Sequence, residues 1–397
     1  MNHFTRIFLF RSLPALTMIL LLFAACDRDP VELDEPTPVS GTLSAATTWT
    51  NRISDPAIPD YLVSGELRVT AALTIEAGVT VAFASDAVLD ITGGSGILIA
   101  VGEAGSPITF TGESATKGFW RGIRIHTPDI RNEMTYCVVE YAGSQELGYA
   151  VPKAAIALVD FAGDEGRLKL SNTLIRQTAG YGVAVQDDAV FQAFSNNQIQ
   201  FNDLPAIHMK ANNMGRLDAV SILEGGVDVK SSDLEVATET TWPALAGGEA
   251  YHLLGDLRIN SGLRIAAGAT FIFEPDKLIE INPDAYLIAV GEATKLITFK
   301  GVSDGTASWR GININSADVR NEMRYCLVRD AGIDQVIYSS DAANIVLSDY
   351  IGTRGRLKLS FSTVQGSAGC GVFVDSGCEL TESDNTFADN AVGTICN

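Results

Sequence analysis

The stretch WRGIRIHTPDIRNEMTYCVVEYAG, residues 120–143, recurs 189 residues later as WRGININSADVRNEMRYCLVRDAG, residues 309–332. Fifteen of the 24 positions are identical. Neither copy contains a recognisable catalytic motif, so the duplication is first an architectural signal. A long internal repeat of this kind predicts a fold in which equivalent units stack on one another.

The repeat extends well beyond this stretch. LIAVGEAGSPITF (98–110) matches LIAVGEATKLITF (287–299), and GRLKLS (166–171) recurs unchanged at 355–360. Near the end, SNNQIQFNDLPAI (195–207) matches SDNTFADNAVGTI (383–395). We therefore predict a first copy at residues 47–208, connecting coils at 209–239 and a second copy at 240–397.

Short alternating apolar runs fill both copies, such as LTIEAGVTVAF (73–83), PITFTG (107–112) and YCVVEYAG (136–143). They are rich in Val, Ile, Leu and Thr, and Gly, Asn, Asp or Ser bounds most of them, which is typical of strands. No long window sustains a helical period. Strands at nearly equal spacing over about 350 residues favour a solenoid over a sandwich.

These runs, together with WRGIRI (120–125), resemble the repeats of right-handed parallel β-helix proteins of the pectin-lyase-like superfamily. They are similar in particular to Bacteroidota surface-protein repeats. The resemblance implies an all-β, single-stranded right-handed parallel β-helix (a solenoid) with an internal duplication. It covers nearly all of the chain after the N-terminal segment and is specific for fold rather than for activity.

In such a fold, alternating residues of a strand point into the stack and out of it. We therefore expect Cys137, Val139 and Tyr141 to point inward, and Val138 and Glu140 to point outward. Four asparagines suit turns, where a short amide can bond to its own backbone: Asn196, Asn202, Asn385 and Asn390.

Residues 1–25 read as a signal sequence, with Arg6 and Arg11 before the apolar run LTMILLLFAAC. The run ends at Cys26 and resembles a bacterial lipobox, which implies lipidation of the Cys26 thiol. Phe23 departs from the usual Leu of that motif. The alternatives are an ordinary secretory signal and a retained membrane span, but the run is short for a span of about 20 residues.

Residues 26–46 are acidic and carry three prolines, which predicts an extended linker. Acidic residues after the lipidated cysteine also resemble a surface-export signal, and a solvated spacer is the alternative. We expect the protein to be a bacterial outer membrane lipoprotein that contacts the membrane through the lipid on Cys26. The formal charge of −20 argues against a nucleic-acid partner.

Six cysteines are present. Cys137 and Cys326 occupy the same position in the two copies and should be buried small hydrophobes. Cys370, Cys378 and Cys396 lie near the C-terminus, and we expect one disulfide among them without being able to assign its partners. The chain has no CxxC motif or His/Cys cluster typical of a metal site.

Candidates for catalysis are few. The recurrent basic pairs Arg167 with Lys169 and Arg356 with Lys358 are the only weak outer-face candidates, and a solvated face is the plainer interpretation. RNEM (131–134) should be a turn in which Arg131 and Glu133 pair with each other or bond to local backbone.

The sequence therefore favours a non-catalytic surface protein that presents a rigid face to a polysaccharide or to another envelope protein. A polysaccharide lyase or glycoside hydrolase is the alternative, and it predicts a groove of converging acids and bases in one copy only. Ca²⁺ is expected only if the protein is a lyase. A structural envelope or adhesin component is the third reading.

Overall fold

The computed structural model describes residues 35–305, 307–336, 340–350 and 352–397. The predicted signal sequence and Cys26 lie outside these residues. Glu35–Asn397 form one compact unit. Within the described ranges, no helix combines the length and apolar character needed to cross a membrane.

The chain is a right-handed parallel β-helix in which each coil contributes three short strands. Strands of successive coils pair in parallel, as between Ala72–Ile75 and Ile97–Val101. Three parallel sheets result, here called the first, second and third faces in chain order. Right-handed winding is the general rule for parallel crossovers.

The first face of the first copy contains β2 (Thr47–Trp49), β4 (Ala72–Ile75), β7 (Ile97–Val101), β10 (Glu133–Thr135), β15 (Arg167–Ser171) and β18 (Val190–Ser195). The second face contains β5 (Thr80–Phe83), β8 (Ile108–Gly112), β11 (Cys137–Glu140), β16 (Leu174–Arg176), β19 (Gln198–Gln200) and β21 (Ile222–Leu223). The third face contains β6 (Val88–Thr92), β9 (Gly122–His126), β12 (Ala154–Leu158), β17 (Tyr181–Val185), β20 (Ile207–Met209) and β22 (Val227–Val229). Two longer strands, β1 (Thr37–Leu43) and β3 (Tyr61–Val69), bend across the second and third faces.

The second copy repeats this order. Its strands of the first type are β24 (Glu239–Trp242), β27 (Gly262–Ile265), β30 (Tyr286–Val290), β33 (Glu322–Arg324), β38 (Arg356–Ser360) and β41 (Glu379–Ser383). Those of the second type are β25 (Ala250–Leu253), β28 (Thr270–Phe273), β31 (Ile297–Gly301), β34 (Cys326–Arg329), β39 (Thr363–Gln365) and β42 (Thr386–Ala388). Those of the third type are β23 (Ser232–Leu234), β26 (Leu257–Ile259), β29 (Leu278–Ile281), β32 (Gly311–Ile314), β35 (Ala343–Leu347), β40 (Cys370–Val374) and β43 (Gly393–Cys396).

Short elements interrupt this pattern. Each copy carries one outward antiparallel hairpin, formed by β13 (Asp160–Phe161) with β14 (Asp164–Glu165) and by β36 (Asp349–Tyr350) with β37 (Thr353–Arg354). Two 3₁₀-helices span Ala211–Arg216 and Ala246–Gly248.

The predicted linker at residues 26–46 is too long. Thr37–Leu43 form β1, which pairs in parallel with β3 and so belongs to the stack. The acidic, proline-containing composition suggested a solvated segment. Nevertheless the run Thr37–Leu43 can supply backbone hydrogen bonds to the next coil, and this pairing covers the open edge of β3.

The two copies join at a seam where the second copy enters the stack one face out of phase. Strand β22, of the third type, pairs on one side with β20 and on the other with β25, which is of the second type. The Ala211–Arg216 helix takes the place of a first-face strand between β20 and β21. Equivalent residues of the two copies therefore point to different sides of the β-helix.

One continuous hydrophobic core runs through both copies and across the seam, from Trp49 to Val372. The predicted alternation is confirmed: Cys137 and Val139 are buried, while Val138 and Glu140 are half-buried on the outside. Tyr141 packs partly against the core at a corner where its φ is 64°. Burial of alternate apolar side chains in every coil is the main stabilising contribution.

Asparagine side chains join successive coils at the corners. Asn197 accepts a hydrogen bond from the Thr173 N–H at 3.1 Å and donates to the Leu170 carbonyl at 3.0 Å. In the second copy Asn385 makes the same pair of bonds, with Ser362 and Leu359.

The turn asparagines behave differently from one another. Asn196 adopts the predicted left-handed conformation, with φ of 54°. Asn202, Asn385 and Asn390 instead accept hydrogen bonds from backbone N–H groups of the preceding coil. The predicted bonding of these three asparagines to their own backbone is therefore wrong. In a stacked fold, the preceding coil offers backbone N–H groups within reach of their amide oxygens.

Candidate functional site

The duplicated tryptophans are scaffold. Trp120 and Trp309 are fully buried, and each stacks on a phenylalanine with ring centroids 4.0 Å apart. The indole N–H groups donate to the Glu140 carbonyl at 2.8 Å and the Arg329 carbonyl at 2.9 Å. The motif recurs because the same packed corner recurs.

The RNEM turn is also structural, but its ion pair differs from the prediction. Arg131 donates two hydrogen bonds to Asp129, at 2.9 and 2.6 Å, rather than pairing with Glu133. Arg320 and Asp318 repeat this geometry. Hydrogen bonding to Arg131 lowers the pKa of Asp129.

The neighbouring asparagines explain why this turn stacks. Asn132 accepts a hydrogen bond from the Leu98 N–H at 2.9 Å, and Asn321 accepts one from the Leu287 N–H at 2.8 Å. Each buried amide thus satisfies a backbone donor of the coil before it, which a buried N–H requires.

The weak basic candidates do not form a common surface. Arg167 pairs with Glu165 at 3.0 Å, and Lys169 lies 3.8 Å from Glu133. Arg356 pairs with Glu379 at 2.6 Å, and Lys358 is exposed on the same strand. Because of the seam offset, β15 and β38 lie on different faces, so the two pairs cannot share one ligand.

Two cysteines lie in the core, and burial raises the thiol pKa of Cys137 and brings that of Cys326 to about 12. Cys370 and Cys396 are disulfide-bonded, and Cys378 is free.

Ionisable side chains are more frequent in one outward column of the third face. Strand register aligns Arg68, Asp90, Arg124, Ala157, Ala184, His208, Asp228 and His252 in successive coils. A groove lies at one end of this column and a histidine cluster at the other. A loop lies between them, and its Leu147 and Val151 pack on Ala157 and Ala184.

The groove, here called the third-face groove, has a volume of about 320 Å³. It is lined by Arg68, Asp90, Thr92, Arg124, His126, Gly148, Tyr149, Val159, Phe161 and Gln186.

An ion-pair network forms the charged floor of the groove. Arg124 donates to buried Asp90 at 2.7 Å and to Glu66 at 3.3 Å, and Arg68 donates to Glu66 at 2.8 Å. The hydrogen bond from Arg68 lowers the pKa of Glu66, and the charge of Arg124 adds to this effect. Bonding to Asp90 raises the pKa of Arg124.

Two exposed aromatic side chains border this floor. Tyr149 is 93% exposed at the tip of the loop, and Phe161 is 67% exposed on the β13–β14 hairpin. The loop is fixed at two carbonyls: Arg124 donates to Leu147 O at 3.3 Å, and Gln186 donates to Tyr149 O at 3.2 Å. The His126 ring lies against Phe161, with its Nε2 2.9 Å from the Phe161 carbonyl oxygen.

The second copy differs from the first at polar positions that line the groove. Asn313 and Asn315 stand where the first copy has Arg124 and His126, and their exposures are only 1% and 2%. Asp375 occupies the position of Gln186 in the second copy. The sequence signal for this groove is therefore a difference between the two copies rather than the duplicated motif.

The histidine cluster, here called the seam cluster, comprises Tyr181, His208, Lys210, Asp228, Lys230 and His252. Tyr181 donates to Asp228 at 2.6 Å, and His252 Nδ1 lies 3.3 Å from the same carboxylate. Desolvation, with the charge of Lys230, lowers the pKa of His208 to about 4. Burial, followed by the hydrogen bond to Asp228, raises the pKa of Tyr181.

A polar cavity of about 380 Å³ lies beside the seam, lined by residues that include Lys210, Ser232 and Arg258. Within the described ranges, no group of three or more His, Cys, Asp or Glu side chains is placed to hold a metal ion.

Comparisons with known proteins add little to this description. No protein-family model matches the chain, and no curated protein matches it. The chain is similar to a solved structure, the A-module of mannuronan C-5 epimerase AlgE4 from Azotobacter vinelandii. The alignment covers 84% of this chain and 88% of that module, at 13% identity and a TM-score of 0.30. A likeness this distant supports no statement about activity, and the fold assignment stands on the strand pairings themselves.

Proposed function

We propose that this chain is a lipid-anchored extracytoplasmic β-helix protein that captures glycan chains in the third-face groove without cleaving them. The observation that carries the proposal is the pair of exposed aromatic side chains, Tyr149 and Phe161, bordering a hydrogen-bonding floor.

The chemistry of the groove suits a sugar ring. The C–H face of a pyranose is apolar and packs well on an aromatic ring, whereas its hydroxyl groups need donors and acceptors. Arg68 and Glu66 supply both at the edge of the floor. The cavity volume lies at the lower end of the range of small-molecule sites.

The groove is also pre-organised. Arg124 and Gln186 hold the Tyr149 loop at two carbonyls, so little backbone freedom is lost on binding. Reduced ordering costs raise affinity without new contacts. The β-helix beneath is a continuous core, which gives the groove a rigid base.

The anchor and the location are part of the proposal. The lipobox-like Cys26 and the acidic residues after it support tethering to an outer membrane. A tethered β-helix would expose its outer faces to glycans outside the cell.

Binding is tested with the chain 27–397, which contains all of the compact unit Glu35–Asn397. Calorimetry against a panel of plant, algal and host glycans should show saturable binding. Tyr149→Ala and Phe161→Ala should each weaken binding about tenfold, which corresponds to about 1.4 kcal/mol per lost ring contact.

The matched control is Tyr350→Ala. Tyr350 is the equivalent of Phe161 on the second hairpin and is 59% exposed, but it does not line the third-face groove. Equal losses for Tyr350→Ala and Phe161→Ala would contradict the groove, and no binding to any glycan would favour a structural or adhesin role.

The seam cluster favours a second candidate function, acid–base catalysis on a polysaccharide. Asp228 brings together a phenol and an imidazole, with Tyr181 at 2.6 Å and His252 Nδ1 at 3.3 Å, and such groups serve in proton transfer. Product formation from the same glycan panel, abolished by His252→Ala, would establish this activity in place of simple capture.

A further inference from the structure

We infer that the third-face groove selects neutral pyranose units and rejects uronate-containing or sulfated chains. The inference rests on the proposed function, because it names the class of glycan for the same site. It follows from how the cations of the groove are already used.

The half-buried cation of the groove, Arg124, is already paired with carboxylates. Arg124 uses Nε on Asp90, Nη2 on Glu66 and Nη1 on the Leu147 carbonyl. Two of its five N–H groups remain, but a ligand carboxylate that took the place of Asp90 or Glu66 on Arg124 would break an existing ion pair. Displacement of Asp90 would leave a carboxylate that is 2% exposed without its counter-ion, which is strongly unfavourable.

The remaining cation is neutralised as well. Arg68 donates its Nε to Glu66, so the two arginines of the floor face two carboxylates. The groove therefore carries no net positive charge. The chain as a whole has a formal charge of −20, which repels anionic polymers at long range.

Neutral hydroxyl groups meet a different situation. Among the described residues, the Nη groups of Arg68 and the Oε2 of Glu66 form no hydrogen bond and stay open to the groove edge. A hydroxyl can donate to the carboxylate and accept from the guanidinium without separating the ion pair. Charged side chains in matched pairs thus favour a neutral polyol over a charged one.

The test uses two sets of defined hexasaccharides on the chain 27–397. Gluco-, xylo- and manno-hexaoses of plant and algal linkages form the neutral set, and galacturono- and mannurono-hexaoses form the acidic set. At least one neutral member should bind, with an affinity that changes less than about twofold between low and high salt. Both acidic members should fail to bind.

A charge variant sharpens the test. Glu66→Gln removes one carboxylate and leaves Arg68 unpaired, so binding of galacturonohexaose should appear, with an affinity gain of about tenfold or more that salt suppresses. Asp256→Asn is the matched control, because Asp256 is the equivalent acid of the second copy and its partner Arg310 does not line the groove, whereas Arg68 does. The same overall charge change there should give no gain.

Each result is decisive. Binding of acidic hexaoses by the unaltered chain overturns the inference but leaves glycan capture intact. A failure of Glu66→Gln to gain affinity, or an equal gain for Asp256→Asn, overturns the charge-matching argument. Binding of no hexaose in either set overturns the inference together with the proposed function.

Discussion

The phenol of Tyr181 donates a hydrogen bond to Asp228 at 2.6 Å, although the two residues are 47 positions apart in the sequence. Tyr181 lies on β17 of the first copy, and Asp228 lies on β22, which pairs with β25 of the second copy. Both side chains are largely buried, with Asp228 only 6% exposed. The contact therefore ties β17 to β22, the strand on which the second copy stacks.

Loss of this hydrogen bond should weaken the seam. In Tyr181→Phe the ring remains but a buried carboxylate loses a donor, so we expect the free energy of unfolding to fall by about 1–3 kcal/mol. Urea unfolding followed by circular dichroism measures the loss. Tyr149→Phe removes the hydroxyl of an exposed tyrosine and should leave stability unchanged; equal effects for the two variants would contradict a seam role for Tyr181.

The burial of His208 should make the protein acid-sensitive. The pKa of His208 falls from its ordinary 6.5 to about 4, because burial disfavours the imidazolium and Lys230 repels it. The unfolded chain therefore takes up a proton as pH falls below 6.5, whereas the folded chain does so only near pH 4. Stability should be complete above 6.5 and decrease by about 3 kcal/mol between pH 6.5 and 4.

His208→Gln isolates this contribution, since glutamine has no proton to gain in that range. The variant should show a shallower decrease in the free energy of unfolding between pH 6.5 and 4 than the unaltered chain. The groups facing His208 are the Tyr181 ring, Asp228 and Lys230, and none of them changes in the variant. An unchanged pH dependence would show that another group is responsible.

The two duplicated tryptophans should be equally important to stability. Their stacking distances and indole hydrogen bonds are nearly identical. Trp120→Phe and Trp309→Phe each leave a cavity and an unpaired carbonyl, so we expect losses of about 2 kcal/mol at either position. Comparable shifts in unfolding midpoint with unchanged glycan binding support a scaffold role, whereas a loss of binding at Trp120 alone would point to a site.

Much of the fold could be predicted from the sequence because its signals are local and repeated. Alternation in YCVVEYAG fixes which side chains enter the core, and the 189-residue offset fixes the duplication. The one-face offset at the seam could not be predicted, since it shows only in the pairing of β22 with β20 on one side and β25 on the other. Nothing in a linear pattern reports which face a later coil joins.

The candidate site was harder to predict for a related reason. Arg68, Asp90 and Arg124 are far apart in sequence and meet only because parallel register aligns them. His126 and His208 were visible as residues without a counterpart in the other copy, but their neighbours were not. The sequence pointed instead to the recurrent basic pairs, Arg167 with Lys169 and Arg356 with Lys358. These two pairs lie on separate faces of the β-helix.

The disulfide between Cys370 and Cys396 should hold the last described coil in place. It joins β40 to β43 across a sequence separation of 26 residues, and closing such a loop in the unfolded chain is expected to stabilise the native state by about 3 kcal/mol. Cys396→Ser should therefore increase hydrogen exchange in β41, β42 and β43 and lower the unfolding midpoint. Cys378→Ser is the matched control, since Cys378 is free and only partly buried. Unchanged exchange in Cys396→Ser would mean that strand pairing with β40 is sufficient to hold the coil.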